Sequence, residues 1–183
     1  IERIDTEKRQ VWFKASGLDE GQDPYLIHYC RVDFDGSNFT RLTRGNGNHS
    51  IQFSPDERFL IDSWSRVDAA PVTQLRRVSD GKLMCELEKA DISELLESGW
   101  NYPQVFSAKG RDGKTDIWGF ICRPRNFDPK KNYPIIEDIY AGPHNSFVPK
   151  SFSPAERYRE YTSLGFIVVK IDGMGTANRS KVF

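Results

Sequence analysis

The sequence is poor in the features that mark most specialised chains. Its 183 residues hold three histidines, three cysteines and two methionines, and 26 Lys plus Arg balance 26 Asp plus Glu to a formal net charge of zero. That balance, with no basic run or stripe, removes the electrostatic footprint of a nucleic-acid binder. No apolar run approaches the roughly 18 to 20 residues needed to cross a bilayer. Residues Ile1 to Gln10 form a charged, strand-like start rather than a signal peptide. Because the first residue is not methionine, the chain is expected to be trimmed, and the missing leader leaves the compartment open. Cys30, Cys85 and Cys122 lie far apart, with no C-x-x-C and no histidine at ligand spacing, so no metal or cofactor is expected. Each sits in an apolar, strand-like run and is expected to pack as a small buried hydrophobe, with a disulfide left open. Also missing is G-x-S-x-G, the elbow that presents a nucleophilic serine.

What the first half does have is strand after strand. Val11 to Phe13, Tyr25 to Phe34, Phe39 to Thr43, Ser50 to Phe53, Phe59 to Ser65, Val72 to Val78 and Leu83 to Leu87 are rich in aromatic and β-branched residues. Asp35-Gly36 and Asp80-Gly81 sit between such runs as hairpin turns. Ser54-Pro55-Asp56 reads as a type I turn, with Glu57 where glycine is favoured. Short strands at this spacing match propeller blades of about 40 to 50 residues, roughly two of them, with a small β-sandwich as the alternative. Two blades do not close a ring, so the expectation is a piece of something larger. His28 and His49 lack partner spacing and read as satisfied strand or turn histidines.

The pattern changes at Asp91 to Ser98. Asp91 and Glu94 stand at capping-box spacing and Gly99 is placed to stop a short connector helix. The domains are therefore expected at residues 1–99 and 100–183. In the second, Gln104 to Lys109 and Thr115 to Arg123 read as a hairpin. Tyr133 to Asn145 reads as a buried strand ending in a Gly-Pro loop, with Tyr140 at its end and His144 just beyond. Glu137 and Asp138 inside that strand should have partners. Ser153 to Glu156 is a strong helix start, Gly165 the helix end, and Phe166 to Ile171 a strand covered on both faces. Strand, helix, strand gives a βαβ unit and the start of a parallel sheet. Gly173-x-Gly175 after that strand begins like a dinucleotide fingerprint, but Asn178 replaces the third glycine and no acidic residue follows at the needed distance.

Three stretches, Phe53-Ser54-Pro55-Asp56, Lys131 to His144 with its Tyr-Ala-Gly-Pro, and Ile171 to Thr176, together resemble the dipeptidyl peptidase IV branch of the prolyl oligopeptidase family. The likeness spans about residue 10 to the end. It implies a mixed fold, in which about two incomplete β-propeller blades are followed by the first strands and helix of an α/β-hydrolase domain. It implies an enzyme, a serine peptidase releasing N-terminal dipeptides, often after Pro or Ala, through a Ser, Asp, His triad that this chain lacks, so the chain alone should be inactive. Tyr140 is then the residue whose hydroxyl stabilises the oxyanion. Met174 departs from the arginine often found after the Asp-Gly, and His144 inherits no catalytic role. A peptide substrate, a homodimeric parent and an extracytoplasmic or periplasmic setting are further implications. The alternatives are a non-catalytic relative serving as an interaction surface and a related endopeptidase, acylaminoacyl peptidase or esterase.

Overall fold

The computed structural model describes residues 1–140, 142–155, 158–180 and 183. They divide into two compact units, Ile1–Ala90 and Asp91–Phe183. The boundary falls ahead of the short helix at Ser93–Glu97, so that helix belongs to the second unit.

The first unit is two four-stranded antiparallel meanders in succession. Strands β1 (Arg3–Asp5), β2 (Gln10–Ala15), β3 (His28–Asp33) and β4 (Thr40–Arg41) form one sheet in chain order. Strands β5 (Asn48–Phe53), β6 (Phe59–Arg66), β7 (Ala69–Arg77) and β8 (Leu83–Lys89) form the other. Turn chemistry follows the sequence. Gly36 and Gly81 take φ of 84° and 69° between the third and fourth strands of each sheet. Glu57 is forced to φ 54° where glycine would be strain-free. Pro71 sits inside β7 where the ladder to β6 shifts register between Trp64 and Arg66, so its missing N–H costs no regular bond.

Trp12, Leu42, Leu60 and Val78 form a buried core shared by both sheets, with Phe53 meeting the Trp12 ring edge-on at 5.4 Å. A polar network runs beside it. The Nδ1–H of His49 donates to Asp62 (2.7 Å), whose other oxygen accepts from Arg76 Nε at 2.8 Å. Arg76 also donates to Gln74 and to the carbonyls of Gly81 and Arg44. Four acceptors, one of them a carboxylate, are what allow this guanidinium to be buried. The His28 ring lies 4.7 Å from that of His49, and Arg41 approaches its nitrogens at 3.1 Å while forking onto Asp19 at 2.8 and 2.6 Å. Both histidines are thus built into the joint between sheets, as satisfied groups. Burial, then the neighbouring His49 and Arg41, push the His28 pKa down to about 4.

Cys30 is fully buried, and desolvation raises its thiol pKa. Cys85 is a correction: it is exposed, because β8 is an outer edge strand none of whose residues is buried. All three cysteines are free, with no disulfide.

The second unit begins with α1 (Ser93–Glu97). Asp91 does not close a capping box; its carboxylate accepts from the backbone and hydroxyl of Ser93, an Asx turn that leads into the helix, and Gly99 at φ 84° ends it. Strands β9 (Gln104–Lys109) and β10 (Asp116–Cys122) pair as the expected hairpin. Its turn is fixed by Asp112, which accepts from the Lys114 and Thr115 amides and the Thr115 hydroxyl and is held at a pKa of about 2 by those bonds. Strand β12 (Ile167–Ile171) lies antiparallel to β10 and parallel to β11 (Ile135–Glu137), giving the order β11-β12-β10-β9. Helix α2 is described over Tyr158–Ser163; Glu156, expected from the sequence to close its capping box, lies outside the described residues.

Two expectations fail here. Strand β11 is an edge of this sheet, with Ile135 65% exposed, because only β12 pairs with it. Strand β12 is covered on one face only. Phe120 and Val168 are fully buried, with Tyr158 of α2 on Phe120 at 5.1 Å, while Val169 and Ile171 line an open apolar hollow of about 430 Å3 beside Met174. After Ile171 the chain turns without entering a helix, which removes the dinucleotide fingerprint's required context.

Candidate active site

The loop after β11 is positioned from the sheet. The Asp138 amide continues the ladder, donating to the Val169 carbonyl at 2.9 Å, and its carboxylate takes the Lys170 ammonium of the neighbouring strand at 2.6 Å. That is the partner the sequence required but could not name. Glu137 needs none, since the edge position leaves it exposed.

Tyr140 follows with its ring 44% exposed and its hydroxyl free of any hydrogen-bond partner among the described residues. The ring is not loose. It stacks on Phe147 at 3.7 Å between centroids, tilted by 30°. Gly142 is pressed so close that a Cβ there would lie 2.3 Å from the Tyr140 ring and 2.9 Å from its oxygen. The glycine of Tyr-Ala-Gly-Pro is therefore needed for the tyrosine's approach; Ala141 itself lies outside the described residues.

The far arm of the loop is tied to the end of β12. Asp172, 1% exposed, accepts from the Phe147 amide at 2.6 Å and the Val148 amide at 3.2 Å, with Lys150 Nζ 3.8 Å away. Asn178, at φ 68°, donates to the side chains of Asn145 and Ser146. So a carboxylate fixes the Phe147 backbone, and the Phe147 ring supports Tyr140. Neither Asp172 nor Phe147 was singled out from the sequence as a supporting residue. The available signal was an aspartate directly after an apolar strand, where a buried charge demands donors.

Other residues contribute less. His144 is exposed in the loop, and Met174 lies against Gly110 rather than near Tyr140's loop partners. Cys122 is buried and its thiol is pushed up to about 12 by desolvation, which keeps it protonated and unreactive. No group of three His, Cys, Asp or Glu among the described residues could hold a metal ion.

A donor presented on a braced loop beyond a parallel strand, in a chain that opens with two four-stranded meanders, defines a propeller protein that leads into a mixed sheet. Residues 1–71 match the family model described as the dipeptidyl peptidase IV (DPP IV) N-terminal region. The chain is 27% identical to dipeptidyl peptidase 8 of Homo sapiens over 191 residues, covering 99% of this chain and 21% of that protein. It is 28% identical to dipeptidyl-aminopeptidase B of Aspergillus niger over 178 residues, covering 94% of this chain and 19% of that protein. The crystal structure of Porphyromonas gingivalis dipeptidyl peptidase 4 shares its fold, with a TM-score of 0.69 at 23% identity over 92% of this chain and 23% of that one. By these matches the chain is similar to dipeptidyl peptidases of the dipeptidyl peptidase IV type. It spans about one fifth of the length of the curated relatives it matches.

Proposed function

We propose that this chain supplies part of a serine exopeptidase that releases dipeptides from peptide amino ends, often after proline or alanine. The observation that carries the reading is Tyr140, a hydroxyl with no hydrogen-bond partner among the described residues, exposed and braced where the strand ends. Attack of a serine on a peptide carbonyl places negative charge on the former carbonyl oxygen. A donor already aimed there stabilises that charge without reorganising. The geometry thus fits Tyr140 as one donor of an oxyanion hole. The nucleophile and its base are not among these residues, since no G-x-S-x-G occurs in the sequence. In this reading residues 1–99 are propeller with its connector and residues 100–183 begin an α/β-hydrolase domain. The mixed sheet with its parallel crossover supports the second assignment. The exposed outer edge of β11 fits a sheet that continues in the longer protein. A homodimeric parent is part of the proposal, and sedimentation of the full-length protein tests it.

The test of function is hydrolysis of a chromogenic Xaa-Pro amide by the full-length protein. Tyr140→Phe should lower the acylation rate by about a hundredfold or more, the effect of deleting one oxyanion donor. Wild-type turnover in that variant ends the oxyanion role. The 183-residue chain alone should show no turnover.

A further inference from the structure

A cleft of about 370 Å3 opens between the two sheets of the first unit, walled by the β1–β2 turn, the β5–β6 turn and the segment after β7. Four of its lining side chains are cationic, Lys8, Arg31, Arg58 and Arg77, against one carboxylate, Glu57. The nearby carboxylates do not cancel them. Glu57 is shared between Arg3 and Lys8, and Asp80 is taken by Arg77 at 2.5 Å. Arg31 and Arg58 have no carboxylate within ion-pair distance among the described residues. The Arg31 guanidinium donates only to neutral acceptors, Ser79 O at 3.1 Å, Thr40 Oγ1 at 3.2 Å and Val78 O at 3.5 Å, and its Nε has no partner. It lies over the Trp12 ring at 5.3 Å, as Arg58 lies over Phe59 at 5.8 Å.

A half-buried guanidinium that meets only neutral oxygens lacks the counter-charge that burial calls for. An anion in the cleft would supply it, and the Trp12 and Phe59 rings offer apolar surface beside the charges. The volume falls within the roughly 300 to 1,000 Å3 of small-molecule sites. We propose that this cleft binds a phosphate monoester carried on a ring or other apolar body, its phosphate held by Arg31, Arg58 and Lys8. A dianion suits the site better than a carboxylate because the two unpaired guanidiniums outnumber a single negative charge, and their planar forks match phosphate oxygens.

Calorimetric titration of the 183-residue chain with phenyl phosphate at low salt tests this. Binding is expected, with benzoate about tenfold weaker. Arg58→Gln should weaken phenyl phosphate by about tenfold through loss of one charge-assisted hydrogen bond. Arg58 is exposed, so this variant should keep its fold, which far-ultraviolet circular dichroism checks. Lys8→Gln should weaken it by a smaller factor, since Lys8 is shared with Glu57 and Asp5. Absence of any binding heat with phenyl phosphate overturns the site. So does affinity unchanged in both variants, and benzoate as tight as phenyl phosphate overturns the assignment to a phosphate.

Discussion

Replacing Asp172 with asparagine isolates the bracing of the Tyr140 loop. The carboxylate accepts from two backbone amides, Phe147 at 2.6 Å and Val148 at 3.2 Å. An amide side chain of the same size can accept from one of them with its oxygen, but then turns its NH2 toward the other. Val148 is 6% exposed, so its N–H cannot be rescued by water, whereas Phe147 at 39% can turn partly to solvent. Orphaning one buried N–H costs about 1–3 kcal/mol, and the charged acceptor lost with it adds to that. The expected loss is about 2–4 kcal/mol for the second unit. Two measurements read it: urea unfolding followed by circular dichroism, and hydrogen exchange of the Val148 amide, which should lose its protection. In the full-length protein kcat/KM should fall by roughly ten- to a hundredfold, since about 1 Å of misplacement at a reacting group can cost that much. Unchanged exchange at Val148 together with unfolding within about 0.5 kcal/mol of wild type would refute the bracing.

Three further outcomes follow from the geometry. His28 has its folded-state pKa lowered from 6.5 to about 4, so the unfolded chain binds the proton first as pH falls. Stability is therefore full above about pH 6.5 and declines toward pH 4, by at most about 3 kcal/mol for the full shift. Urea midpoints should show that decline in wild type and lack it in His28→Gln, and an equal decline in both would assign it elsewhere. Gly81→Ala places a Cβ 2.2 Å from the Arg41 carbonyl at φ 69°, which backbone on both sides cannot relieve. It should destabilise the first unit by about 2–3 kcal/mol, measured by thermal unfolding, and a neutral result would mean the two sheets do not close on each other there. Gly142→Ala instead displaces the exposed Tyr140 ring, so unfolding should shift by under about 1 kcal/mol while turnover of the full-length protein drops; a stability loss with intact turnover would reverse that assignment.

How much of this was legible in the sequence depends on the range over which each feature is specified. The meanders were readable because Asp-Gly turns and alternating apolar runs are local, and Gly36 and Gly81 adopt the positive φ those turns predict. Features set by distant chain were not. Leu83 to Leu87 reads as a strand, yet nothing in those residues says it is the outermost one, and Cys85 consequently stands exposed. The same blindness made β11 look central and β12 look covered on both faces, because an apolar run records what a strand is fit to bury and not what this chain provides to bury it.

The loop shows the same division more sharply. Tyr140 could be picked out only by resemblance, because an exposed tyrosine at a strand end has no distinctive local pattern. Its supports come from 25 and 7 residues away in sequence terms, as Asp172 reaching Phe147 and Phe147 reaching Tyr140. A hydroxyl offered to developing charge must be held still without being hydrogen-bonded beforehand, since a prior partner would compete with the oxyanion. Stacking on one ring face and crowding by Gly142 meet that requirement with contacts that leave the oxygen free. The carboxylate that anchors the arrangement sits two steps removed, where its charge is saturated by backbone amides and by Lys150. In the proposed role, the indirect route from Asp172 through Phe147 to Tyr140 lets a carboxylate brace the ring without accepting from its hydroxyl.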